Sequence, residues 1–66
     1  GPIERGDVST VEKHLHCLNA EDAALYRMLA TRLLAIAKEK NPAQNYENME
    51  HVLNAVAYEK ENGGFQ

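Results

Sequence analysis

Arg5 and Asp7, two residues apart in the opening stretch GPIERGD, are the side chains whose types and spacing best suit chemistry. A guanidinium at Arg5 could grip a phosphate, a carboxylate or a set of carbonyls with planar, bidentate geometry. The plainer reading is a surface pair with Asp7 or Glu4. Asp7 is a candidate helix N-cap, and Ser9 is a second one, because Ser9 followed three residues later by Glu12 reads as a capping box. His14, His16 and Cys17 are metal-ligand types, yet residues two apart on a helix point away from each other. No second cluster completes a ligand set, so no metal site is expected. Glu12 with His16 and Glu47 with His51 stand at i, i+4, where helical side chains meet. Such pairs are ordinary on helix surfaces, and neither is an acid/base dyad without a cleft. Ser9 and Thr10 lack a base at nucleophile spacing, so capping explains them and no catalytic residue is assigned.

The elements that must position Arg5 and Asp7 are a short rigid segment and a helix. Pro2 fixes its own φ and biases Gly1 away from helix, while Gly6 tolerates a positive φ that other residues resist. The reading is a rigid loop delivering Asp7 to a helix start. That first helix is predicted over about residues 8–18, with Val8, Val11, Leu15 and Leu18 on one face. Asn19 caps a second helix over 20–40, with Glu21 and Asp22 at its positive end, Lys38 and Lys40 at its negative end, and Asn41-Pro42 as the stop. A third helix is expected over 46–61, capped by Asn45, with Met49, Val52, Leu53, Val56 and Ala57 buried and Gly63 and Gly64 after its end.

The second helix is apolar over more than one stripe. Ala23, Tyr26, Ala30, Leu33 and Ala37 form one line, and Leu25, Leu29 and Ile36 with Met28 widen it. A surface helix needs only one such face. The surplus predicts a central helix, covered by its neighbours and by a second chain or another domain. Leu25, Met28, Leu29, Leu33 and Ile36 are the candidate association face, and Ala30, Ala35 and Ala37 would let a neighbouring backbone approach closely.

The opening residues also resemble a known family. Gly1, Pro2, Ile3, Arg5, Gly6, Asp7, Thr10, Val11, His14 and Leu15 match a segment from the C-terminal helical domain of Rossmann-like proteins. That domain, of formally unknown function, is similar to the C-terminal domains of 6-phosphogluconate dehydrogenase and pyrroline-5-carboxylate reductase. Residues 24–37, with Leu25, Tyr26 and Arg27, resemble the family's long helix. The resemblance implies a fragment of a larger dimerisation domain that closes the substrate cleft of an NADP- or NAD-dependent oxidoreductase. It implies that Arg5 binds a substrate anion, that Asp7 orients the anion or caps the helix, and that His14 reaches the cleft from a turn and a half further along. The family's G-x-G-x-x-G fingerprint is missing, since the glycines are Gly1, Gly6, Gly63 and Gly64. This chain is therefore expected to bind no cofactor by itself, and NADP or NAD would belong to the Rossmann domain of the parent chain.

Composition agrees with a small helical unit. Sixty-six residues hold one thin core, near the size where association or staples supply the missing stability. Apolar residues are 44% of the chain, with one Phe and no Trp, which suits helix packing by small side chains. Seven basic against ten acidic residues, a formal charge of −3, provide no field to attract nucleic acid. No apolar run approaches a membrane span, no secretory leader is visible, and Cys17 cannot form an internal disulfide, so a cytoplasmic origin is expected. Cys17 is expected as a small buried or interfacial residue. The expectation is an all-α three-helix unit forming a single domain or domain fragment, a homodimer with no catalysis of its own. The alternative is a freestanding helical module that docks a different protein.

Overall fold

Pro2 stands where a helix tolerates proline best, at the first helical position, where its fixed φ is already helical and its missing N–H is not needed. The opening segment accordingly winds into a turn of helix in place of the expected rigid loop. In the computed structural model, which describes residues 1–54, α1 spans Pro2–Arg5, α2 spans Val8–Cys17 and α3 spans Ala20–Lys40. A further helix, α4, covers residues 47–54 up to the end of the described chain. The described residues contain no strand, and the fold is all-α, with α1 added to the three helices expected.

Gly6 ends α1 in the left-handed region, with φ 72° and ψ 29°. Asp7 N–H donates to the Pro2 carbonyl at 2.8 Å and Gly6 N–H to the Ile3 carbonyl at 3.1 Å. These are the two bonds of a Schellman closure, which only glycine adopts without a Cβ penalty. Asp7 then caps α2, its carboxylate accepting from Thr10 N–H at 3.2 Å. The structure thus selects Asp7 over Ser9 as the cap. α2 stops at Cys17, one residue short of expectation, because Leu18 turns to extended backbone.

Asn19 caps α3, accepting from Asp22 N–H at 2.8 Å, and α3 keeps the predicted bounds. After it, Asn45 accepts from Glu47 N–H at 2.8 Å, while the Tyr46 carbonyl takes the first helical bond, from Glu50 N–H at 3.0 Å. Helix α4 therefore starts at residue 47, one later than expected. The predicted positions Val56, Ala57, Gly63 and Gly64, with the end of this helix, lie outside the described residues.

The core gathers Ile3 from α1, Val11 and Leu15 from α2, Ala23, Ala30, Leu34 and Ala37 from α3, and Tyr46, Met49 and Leu53 around α4. Val8, Leu18, Tyr26 and Val52 pack at its edge, and no charged or polar side chain of the described residues is buried in it. Short α1 could not persist alone; it is held because it packs on both α2 and α3. Two points about α3 are decided by the fold. Leu34, absent from the expected apolar line, joins Ala23, Ala30 and Ala37 in the core, since positions 23, 30, 34 and 37 follow the three-four spacing of one helical stripe, while Leu33 of that line is exposed. Ala30 and Ala37 lie inside this chain's own core, where small side chains let its own elements approach, so they are not available to a dimer seam. Cys17 is exposed in the single chain, so of the two expected places, buried or interfacial, it is not buried in this core.

Candidate functional site

The two residues singled out for chemistry meet. Arg5 Nη2 lies 3.3 Å from Asp7 Oδ2, with the Arg5 side chain 64% exposed. Arg5 closes the last turn of α1 and Asp7 opens α2, so Gly6 between them sets their approach. Asp7 is heavily committed. Besides capping Thr10 N–H, it accepts the Thr10 hydroxyl at 2.8 Å and the Ser9 hydroxyl at 3.4 Å. The Thr10 hydroxyl, then the Thr10 N–H, then Arg5 hold its carboxyl below the ordinary carboxylate range. An acid so engaged stays ionised and is a structural cap that also orients Arg5. The guanidinium, by contrast, spends one exposed contact on Asp7 and keeps donors facing water.

His14 does not join this pair. It sits two turns along α2, where its Nδ1 shares a 2.8 Å hydrogen bond with the Tyr26 hydroxyl of α3. Their rings meet edge to face, 5.5 Å apart at 77°. Burial pushes the Tyr26 phenol up, so its hydroxyl keeps its proton. His14 thus ties α2 to α3, a partner the sequence reading did not find. Such a contact depends on the crossing of two helices, not on spacing within one.

A second polar knot anchors the opening motif from behind. The Tyr46 hydroxyl donates to the Glu4 carbonyl at 2.7 Å. Asn41 Nδ2 reaches the Ala37 carbonyl and the Tyr46 hydroxyl, both at 3.2 Å, and Glu4 Oε2 at 3.5 Å. Lys40 adds an ion pair to Glu4 at 3.5 Å. The Asn41 amide first, then the Lys40 charge, hold the Glu4 carboxyl below its ordinary range. Asn41 was legible only as a helix stop, whereas folded it also clamps α1.

The candidate association residues lie apart from the Arg5–Asp7 pair, along one side of α3. Leu25, Met28, Leu29, Leu33 and Ile36 are each between 53% and 70% exposed. At the C-terminal end this side runs into a groove of about 180 Å³ between α1 and α3, lined in part by Pro2, Leu33 and Ile36. Elsewhere on α3, Arg27 has a buried Nη1 without a hydrogen-bond partner among the described residues.

Neither Glu12 with His16 nor Glu47 with His51 is joined by a hydrogen bond among the described residues. No group of three or more His, Cys, Asp or Glu residues among them could hold a metal ion. Dinucleotide binding needs a strand, a glycine-rich turn and a helix N-terminus at the pyrophosphate. The described residues are helical, and Gly6 is spent on ending α1, so they do not fit that group. Among the described residues no helix is long and apolar enough to cross a membrane.

A family model described as "Domain of unknown function (DUF2520)" matches residues 1–33, half of the chain. The match takes in α1, the Gly6 closure, the Asp7 cap, α2 and the first two-thirds of α3. No curated protein and no solved structure matches the chain.

Proposed function

The chain belongs to the DUF2520 family of unknown function, and from that membership we propose that it is a helical association domain. In this reading it is part of a Rossmann-type NAD(P)-dependent oxidoreductase-like protein, cytoplasmic and homodimeric. The domain covers one wall of the substrate cleft and catalyses nothing alone. NADP or NAD would be held by the Rossmann domain of the parent protein.

The observation that carries the association is the open apolar side of α3. Five large side chains, each more than half exposed, are more than a single small helical unit leaves in water without use. Covering a Leu fully contributes about 1.5–3 kcal/mol. Ten such side chains from two copies, each already about half covered, would contribute on the order of 10 kcal/mol. Association costs ~4–15 kcal/mol in lost freedom and ordering. The two are close enough that the dimer should be concentration-dependent. The cleft role rests on Arg5, whose exposed donors face away from the core, and on Asp7 as its fixed support.

Light scattering over a concentration series tests the association. A mass near twice 7.4 kDa that declines on dilution supports it, and a mass of 7.4 kDa at every concentration sinks it. For the cleft, Arg5→Ala in the full-length parent should lower turnover or substrate affinity, and unchanged kinetics would remove Arg5 from the site.

A further inference from the structure

We infer that α3 pairs with α3 of a second copy in antiparallel order, centred on Thr31, with Asp22 of each copy facing Lys40 of the other. This rests on the association reading and adds its geometry.

The charges along α3 are polar in direction. Glu21 and Asp22 occupy its first turn, and Lys38 and Lys40 its last, where the single acid Glu39 leaves a net positive charge. Two copies laid parallel would align acid with acid and base with base, and their helix dipoles would repel. Laid antiparallel, each acidic end meets a basic end and the dipoles oppose. At 3.6 residues per turn, Asp22 and Lys40 stand about five full turns apart and so share one azimuth. A two-fold axis perpendicular to the helices keeps that azimuth on the same flank, so Asp22 and Lys40 of the second copy arrive together at both ends of the seam.

The apolar residues obey the same symmetry. About the centre that pairs Asp22 with Lys40, Leu29 falls opposite Leu33 of the second copy, and Leu25 falls one residue from opposite Ile36 of the second copy. These four side chains are more than half exposed in the single chain. An isologous contact requires such self-complementarity, in which each residue meets its counterpart's counterpart. Lys40 is free to take part, because its pair with Glu4 is exposed and long, at 3.5 Å.

Single cysteines in a Cys17→Ser background test the order of the two helices, since Cys17 is exposed and would react. Leu25→Cys and Ile36→Cys change exposed positions and leave the core intact. Mixed together and treated with a short bismaleimide, the two variants should cross-link to each other, while each alone should cross-link far less. Strong cross-linking of each variant alone would indicate a parallel seam and overturn the inference. A dimer by light scattering with cross-linking in neither arrangement would place the contact elsewhere, overturning this geometry but not the association. A monomer throughout would overturn both. As a second readout, Asp22→Lys should raise the dimer Kd about tenfold, by losing two exposed pairs and opposing like charges. Adding Lys40→Asp to the same chain should restore it. Failure of that restoration would count against the pairing of Asp22 with Lys40.

Discussion

The junction between α1 and α2 and the outer side of α3 as far as Leu33 fall within the same matched stretch, and they use their residues in opposite ways. At the junction, the polar groups other than the exposed Arg5 guanidinium are mostly committed inside the chain. Gly6 closes one helix, Asp7 opens the next with four hydrogen bonds, and Tyr46 and Asn41 hold the Glu4 end from behind. Along α3, by contrast, five large apolar side chains find no cover among the described residues. A region whose interactions are satisfied locally points to architecture. One left with unspent apolar surface points to a partner.

The contrast is broken most sharply by two neighbouring leucines. Leu34→Ala should cost ~2–5 kcal/mol by opening a cavity in the core. A chain of this size has only ~3–10 kcal/mol in total, so urea unfolding followed by circular dichroism should show a largely unfolded variant. Leu33→Ala, one residue away on the open side, should change monomer stability by less than ~0.5 kcal/mol. Equal losses at the two positions would mean that the open side is covered within the chain.

Next in size is an effect on association alone. Leu29→Glu should leave the helical circular dichroism signal in place while abolishing the dimer over the micromolar range, as read by light scattering. A dimer that survives this charge would move the contact off α3.

On the junction side, Gly6→Ala should destabilise by ~1–2 kcal/mol, because alanine pays for the left-handed conformation. The added Cβ would also press on Gln44 Nε2 at 3.3 Å. Thermal melts would check this, and a neutral result would mean that the α1 closure is not retained in solution.

The smallest effect is that of the cap, Asp7→Ala, which should lower Tm by a few degrees at neutral pH. The Asp7 carboxyl is held below its unfolded value, so its contribution is complete above the unfolded pKa of about 4. It is lost as pH falls through the lower, folded value. The gap in Tm between wild type and Asp7→Ala should therefore narrow in acid, and a gap that stayed constant to low pH would remove the ionised cap as its cause.

Much of this was legible in the chain before folding. Asn19, the acidic first turn and Asn41-Pro42 marked α3 at both ends, and Asp7 was readable as a cap, because capping is a bond between near neighbours in sequence. Pro2 was harder to read. The same fixed φ suits a rigid loop and a first helical turn, and the choice for helix depended on Ile3 finding a core and Tyr46 reaching the Glu4 carbonyl from forty-two residues away. The link from His14 to Tyr26 had no sequence signal for the same reason.

What the sequence by itself determined is local: helical periodicity, a glycine at position 6 able to take a positive φ, the side chains that cap α2 and α3, and an apolar surplus on α3 too broad for one face. Which part of that surplus lies inside was decided only by tertiary packing. Leu33 and Leu34 are both leucines on one helix, about 100° apart around its axis. The positions of α1 and α4 put Leu34 in the core and left Leu33 in water, because periodicity defines a stripe on a cylinder, while burial depends on what the rest of the chain lays against it.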